Sequence, residues 1–343
     1  MYKDIIMQTK ILTQTDLKIA AEILENGGLV SIPTETVYGL AANALDGEAV
    51  KKIFEAKGRP SDNPLIVHIS NIKMLNQLVK EIPENARKLI SEFWPGPLTV
   101  ILPAKSIVPR EVSAGLSTVA IRMPNHPVAI DLIDKCGFPL AAPSANLSGS
   151  PSPTSSKHVV DDLDGKIDAI IDGGKCSVGL ESTVITFTTK IPRILRPGGI
   201  TKDQISSVIG EVEIDPAVLE GISIGDKVES PGMKYKHYSP RSKLVLLKGS
   251  CDSYVKHING LRGKNNMALC FDEDKENLNV KAISYGSVSD YRAQAATLFD
   301  ALRKLDSYSP DVIYAHCPEP IGVGMAVYNR LIRAAGFEVI EVE

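Results

Sequence analysis

Residues 56–70 read AKGRPSDNPLIVHIS. Lys57 and Arg59 stand one residue apart in a segment broken by Gly58, Pro60 and Pro64, and the strand-like run LIVHI follows at once. Two cations fixed beside a strand suit a phosphate or a carboxylate, to which each charge-assisted hydrogen bond adds roughly 1.5–3 kcal/mol. The same pair also fits a solvated helix C-terminus, where positive side chains complement the helix dipole. Local chemistry leaves both readings open.

Other polar residues collect at the ends of strand-like runs. Thr34, Glu35 and Thr36 follow GLVSIP, and His68 lies within LIVHI. Thr118 and Arg122 flank TVAIR, Ser144 and Asn146 follow PLAAP, Ser182 and Thr183 follow GLE, and Arg196 closes PRILRP. Strand ends and the loops beyond them form a common crevice in open α/β sheets. The cations Lys57, Arg59, Arg122 and Arg196 suit phosphates and a carboxylate. The hydroxyls and the Asn146 amide suit a ribose, a base edge or an amino acid. Taken singly, each has an ordinary reading as well: an arginine with its head in water, a satisfied histidine, a Ser-x-Asn turn or helix cap.

Standard motifs do not supply the chemistry. No G-x-x-x-x-G-K-[ST] phosphate loop is present. Ser144 follows a strand in AAPSANLSG, yet there is no G-x-S-x-G elbow and no Asp and His in a matching context. Gly322-x-Gly324 follows a strand and opens a helix, but Val327 occupies the third fingerprint position, so a turn that lets a helix approach a sheet is the simpler account.

The elements that must position these groups are legible from periodicity. TDLKIAAEILENG, GEAVKKIFEAK, ENARKLISEFW and HPVAIDLIDKCG have helical spacing. GLVSIP, LIVHI, LTVILP, TVAIRMP, PLAAPS, AIIDGG, STVITF and PRILRP read as strands. Many strands with fewer, shorter helices predict an α/β fold with one large twisted mixed sheet flanked by helices. Residues 214–240 are rich in Gly, Pro and polar residues and read as a linker. Beyond it the strands KLVLLKG, MALCF, KAISYG, DVIYAHC and FEVIEVE alternate with amphipathic helices such as YRAQAATLFDALRKLD. A second, smaller parallel α/β domain follows. The expected division is residues 1–212, a linker over 213–241, and residues 242–343.

Composition agrees. A chain of 343 residues suggests about two domains. With 43% hydrophobic and 23% charged residues it can bury substantial cores, and wholesale disorder is not expected. A net charge of −3 opposes extensive phosphate-backbone binding while leaving room for a small anion site. The 5 cysteines lack a C-x-x-C pair, which argues against a disulfide framework or zinc site and suits a reducing cytoplasm. MYKDIIMQTKILTQTD is too polar for a signal peptide, and no apolar run reaches the about 20 residues that cross a bilayer. A cytoplasmic location is expected.

Together the residues resemble a known family. Pro33-Thr-Glu-Thr-Val-Tyr-Gly-Leu, Lys57-Gly-Arg59-Pro, Asn63-Pro-Leu, Trp94-Pro-Gly-Pro-Leu-Thr, Arg122-Met-Pro, Ala142-Pro-Ser144-Ala-Asn146, Glu181-Ser-Thr-Val and Arg196-Pro-Gly are similar to the YrdC-type domain, the catalytic part of threonylcarbamoyl-AMP synthase. The matches run in order over about residues 10–210. Ser230-Pro-Gly-Met-Lys-Tyr-Lys-His-Tyr-Ser-Pro resembles the interdomain linker of the two-domain form, and Gly322 to Gly336 resembles its Rossmann-like C-terminal domain.

The resemblance implies that L-threonine, bicarbonate and ATP give threonylcarbamoyl-AMP and pyrophosphate. The product would pass to separate transferase proteins that modify tRNA. Mg2+ would accompany ATP, with no dedicated protein metal site. Thr36, His68, Arg122, Ala142 and Ser182 match threonine-binding positions, Arg122 pairing with the carboxylate. Arg59, Asn63, Thr118, Ser144, Ser152, Arg196 and Tyr235 match ATP-binding positions. Lys57 and Asn146 complete the K-x-R and S-x-N signature, at the catalytic centre beside the phosphates. Met233 to Tyr238 would close over the site as a lid anchored by the second domain, with the first domain folding without it. Two other classes compete: an RNA-binding module of the same fold, opposed by the negative charge and the lack of basic aromatic patches, and a carbamoyl-handling hydrogenase-maturation relative, whose extra zinc-finger-like modules this cysteine spacing does not contain.

Overall fold

The computed structural model describes residues 8–220, 238–262 and 265–343. Among them the larger sheet is 11-stranded. Its order runs Lys10–Leu12, Ala169–Ile171, Val30–Ile32, Gly39–Asn43, Leu140–Ala141, Ile66–His68, Thr118–Arg122, Leu98–Pro103, Thr183–Thr186, Arg193–Arg196 and Glu213–Ile214. Both parallel and antiparallel ladders occur in it, so the sheet is mixed.

Period-2 alternation gives this sheet two different faces. Val67, Ile121 and Val100 belong to the main core, over which helices such as Leu17–Glu25 and Pro127–Cys136 pack. Ile66, Ala120, Ile101, Val184 and Leu195 form a smaller apolar cluster facing the other way. Strands Ile66–His68 and Thr118–Arg122 are parallel, with Ile66 opposite Ala120 and His68 opposite Arg122. His68 and Arg122 therefore stand side by side on the face that carries the smaller cluster, with Thr118 at the other end of the same row.

The helix Gly47–Lys57 shows how local sequence sets a side chain's direction. Asp46 caps it by accepting from the N–H groups of Glu48 and Ala49. Gly58 ends it in the left-handed conformation at φ 60, which glycine adopts without strain. Val50, Ile53, Phe54 and Lys57 share the buried face, so the helix turns Lys57 inward.

The second sheet is 5-stranded and parallel throughout, in the order Lys281–Ser284, Asn266–Cys270, Val312–His316, Lys243–Lys248, Val339–Glu341. Leu244, Leu246, Met267, Leu269 and Ile313 face helices Tyr291–Asp306 and Gly324–Ala334. Val245, Leu247, Ala268 and Cys270 face helix Cys251–Gly260. The core on the first of these faces also takes in Val37 and Leu180 from the first body.

The fold class is as the periodicity indicates, with differences in detail. Glu213–Ile214 lies past the expected boundary at 212 and pairs with Arg193–Ile194, extending the first sheet into the supposed linker. Helix Ala217–Glu220 follows it. The strand Gly39–Asn43 escaped the pattern reading because GLAAN is small, apolar and almost wholly buried, so it has no alternation to detect. Among the described residues no helix is long and apolar enough to cross a membrane.

Candidate active site

A pocket opens where the strand ends converge on the His68 and Arg122 face. Of the residues expected from the sequence, Thr36, Arg59, His68, Arg122, Ala142, Ser144, Asn146, Ser152, Ser182 and Arg196 line it, joined by Thr34, Glu181 and Tyr238. Lys57, Asn63 and Thr118 are not among the lining residues. Tyr235 and residues 233–237 of the expected lid lie outside the described residues.

Arg122 is 3% exposed and heavily engaged. Its Nε donates to the Gly96 carbonyl at 3.1 Å and its Nη1 to the Thr36 hydroxyl at 2.8 Å. Its Nη2 lies 2.6 Å from a Glu35 carboxylate oxygen, a charge contact rather than an aligned hydrogen bond. With Nε spent, the N–H groups left to grip a carboxylate lie on the two terminal nitrogens, which would hold it end-on. Glu35 and Thr36 stand beside it because Thr34 closes a tight turn, donating its hydroxyl to the Val37 carbonyl at 2.6 Å.

His68 is buried, and burial followed by the neighbouring Arg122 charge lowers its pKa to about 3. Its Nδ1 has no hydrogen-bond partner among the described residues. The ring is thus neutral at physiological pH and presents an unspent nitrogen. The folded chain refuses a proton that the unfolded chain takes up near the ordinary value. Stability should therefore fall as pH drops from about 6.5 toward 3, with a slope of up to about 1.4 kcal/mol per unit from this residue. Urea unfolding at stepped pH checks this, and His68→Asn should flatten the dependence; an equal slope in both proteins would exclude His68 as its source.

Lys57 has a different environment from the one expected of it. It is 3% exposed, and its Nζ donates to the carbonyls of Ser144 at 2.5 Å and Asn146 at 2.6 Å. Burial first, and the Arg59 charge second, hold its pKa well below the ordinary lysine value. Its ammonium ties down the Ser144-Ala-Asn146 loop from behind, and the Asn146 amide braces the loop further by donating to the Leu147 and Ser150 carbonyls at 2.7 and 2.9 Å. An isolated bridge between Gly39 and Ser144 fixes the loop from the other side. A Cβ at Gly39 would meet that of Ala142 at 3.2 Å, so this approach favours glycine.

Arg59 sits at the pocket edge, its Nη2 donating to the Asn63 carbonyl at 3.3 Å. Asn63 is fully buried, yet neither side-chain amide atom has a partner among the described residues. Such a group is costly unless a ligand satisfies it. Arg196 donates from Nε to the Ser182 carbonyl at 3.0 Å and from Nη2 to the Ser182 hydroxyl at 3.1 Å. Burial lowers its pKa to about 10, still well above neutrality.

Pattern reading gave no individual role to Glu181, Tyr238 or Arg330. Glu181 was visible inside the Glu181-Ser-Thr-Val match. Arg330 was visible inside the Gly322 to Gly336 match, but by pattern it reads as one more cation on an amphipathic helix.

Among the described residues, the carboxylates at the pocket already have partners. Glu181 is the carboxylate that lines the pocket, and it is engaged by Arg330 and the Ser152 hydroxyl. Glu35 is held against Arg122. Among the described residues, a hard cation such as Mg2+ would meet pocket carboxylates that are already paired. Elsewhere Cys251, Asp274 and His316 lie close enough to share an ion. Both ring nitrogens of His316 are already engaged, by Asp274 at 2.7 Å and the Gly249 carbonyl at 3.1 Å.

A twisted mixed sheet with buried cations and small hydroxyls gathered at its strand ends defines a YrdC-type domain, here joined to a small parallel α/β body. Known proteins agree. The Sua5/YciO/YrdC family model, described as "Telomere recombination", matches residues 22–198. A second, "Threonylcarbamoyl-AMP synthase, C-terminal domain", matches residues 200–336. A threonylcarbamoyl-AMP synthase of Pyrococcus abyssi is 48% identical over 95% of this chain and 96% of its own. One of Bacillus subtilis is 49% identical over 94% of this chain and 93% of its own. The crystal structure of P. abyssi Sua5 complexed with L-threonine superposes with a TM-score of 0.91 at 45% identity, covering 98% of this chain and all of that one. The chain belongs to the threonylcarbamoyl-AMP synthase family, in its two-domain form.

Proposed function

We propose that the chain joins L-threonine, bicarbonate or CO2, and ATP into threonylcarbamoyl-adenylate and pyrophosphate, the first step of threonylcarbamoyladenosine formation in tRNA. The convergence of Arg59, His68, Arg122, Ser144 and Arg196 on one pocket carries this reading.

Threonine's neutral amine attacks the carbon of CO2 and gives up a proton, leaving an N-carboxylate. One of its oxygens attacks the α-phosphorus of ATP in line, and the bond to the pyrophosphate oxygen breaks. The chain's part is to place the reactants and balance their charge. Arg122, with Thr36 bonded to it, receives the threonine carboxylate. Neutral His68 beside it adds a hydrogen-bonding nitrogen without a competing positive charge, and Ala142 and Ser182 complete that end. Arg59, Ser144, Asn146, Ser152 and Arg196 face the nucleotide, with the unsatisfied Asn63 amide and Thr118 serving it from beyond the pocket. Lys57 acts through the loop it anchors. A closed pocket keeps water from the labile N-carboxylate. Mg2+ carried by ATP would supply charge neutralisation at its phosphates. The product is handed to the transferase machinery that acts on tRNA, without stable RNA binding by this chain.

Pyrophosphate release from ATP and bicarbonate, with and without L-threonine, tests the reading. Threonine-dependent release is expected, and its absence would reject the reaction. Arg59→Ala should cut kcat/KM by roughly 10- to 150-fold, the loss of one charge-assisted contact. Unchanged turnover would remove Arg59 from the site.

A further inference from the structure

The second body supports the pocket through a fully buried side chain. Arg330, in helix Gly324–Ala334, is 0% exposed. Its Nε donates to a Glu181 carboxylate oxygen at 2.8 Å, and its Nη1 donates to the Pro197 carbonyl at 2.9 Å. Its guanidinium lies 5.4 Å from the centre of the Tyr238 ring. Glu181 in turn accepts the Ser152 hydroxyl proton. Glu181, Ser152 and Tyr238 all line the pocket. Burial would raise the Glu181 pKa, but the Arg330 and Arg196 charges and the Ser152 hydroxyl together hold it below the ordinary value. Glu181 is therefore an ionised carboxylate, which only accepts.

A serine whose proton is committed to a carboxylate has only lone pairs left to offer. We infer that Arg330 is a positioning residue from the second body that fixes Glu181, which in turn fixes Ser152 as a hydrogen-bond acceptor, so that the pocket selects a nucleotide group that donates at this point. The two ribose hydroxyls and the exocyclic amine of the base are the three such groups on ATP. The inference rests on the nucleotide-binding reading above and gives the second body a part in substrate choice.

Analogues that each lack one donor test it: 2′-deoxy-ATP, 3′-deoxy-ATP and purine riboside triphosphate. The full-length chain should discriminate against one of them by about tenfold or more, as expected when a buried acceptor loses its donor. Ser152→Ala should lose most of that discrimination and raise KM for ATP while leaving KM for threonine within about twofold. Arg330→Met should do the same, with partial rescue by Arg330→Lys. A purely structural role would instead lower kcat or the melting temperature without sorting one substrate from the other. Should Arg330→Met fail to fold, Glu181→Gln reports on the same relay, because its amide no longer confines Ser152 to accepting. Calorimetric binding of the three analogues reads selectivity without turnover, so it separates this inference from the reaction itself. Equal binding of all three and ATP, or full discrimination retained in Ser152→Ala, would overturn it.

Discussion

Arg122→Ala should lower the thermal midpoint by roughly 10 °C and abolish threonine-dependent pyrophosphate release. The stability loss follows from Glu35, which is 7% exposed and has the Arg122 guanidinium as its counter-charge. Removing one member of a buried ion pair strands the other charge, at roughly 3–5 kcal/mol, a large share of a typical folding free energy. The catalytic loss has a separate cause, since the threonine carboxylate loses its grip. A double variant separates the two. Adding Glu35→Gln to Arg122→Ala removes the stranded charge, so most of the stability should return while activity stays absent. An Arg122→Ala protein that melts like the parent, or a double variant no more stable than the single one, would contradict this account.

The second large effect is expected from a chain ending near residue 216. The resemblance alone suggests that the first body would fold unaided and lose only its lid. The structure points to a stability loss as well. Arg303 holds Asp162 with two hydrogen bonds, at 3.0 and 2.9 Å, and donates to the Pro151 carbonyl. Arg330 holds Glu181, and Val37 and Leu180 lie in the second body's core. Gly179 lets helix Tyr291–Asp306 approach so closely that a Cβ there would sit 2.5 Å from the Ala296 Cα. Truncation would strip buried Glu181 and half-buried Asp162 of their arginine partners and uncover apolar surface. Activity should fall by more than about 100-fold, because the pocket loses Tyr238 and the Arg330 support, and the urea midpoint should fall with it. A truncated chain with the parent's melting point and turnover would show that the second body neither braces nor completes the site.

How much was legible beforehand can be judged from particular residues. The order of strands in sequence was readable because runs such as LTVILP and TVAIR carry β-branched residues between turn signals. The pairing order was not, because it depends on contacts between runs far apart in the chain, such as the ladder joining Ile66–His68 to Thr118–Arg122. Arg59, Ser144 and Arg196 were identifiable as site candidates because strand ends are where open sheets collect polar groups. Glu181 and Arg330 were not identifiable as a pair, since a residue that works by orienting another has no chemical signature until both are in place.

The opening pair shows the division most clearly. Sequence by itself determined that Lys57 and Arg59 flank a glycine beside a strand-like run, and the family resemblance joined that motif to Ser144-Ala-Asn146. It could not determine that the two cations part company. Helix phase buries Lys57 on the face of Val50 and Phe54, where its ammonium binds two backbone carbonyls, while the left-handed turn at Gly58 carries Arg59 out to the pocket. Residue type and spacing fix which groups are available and how each element caps and turns. Which of them meets a carbonyl and which meets the pocket depends on where distant segments pack, and the tertiary structure decides that.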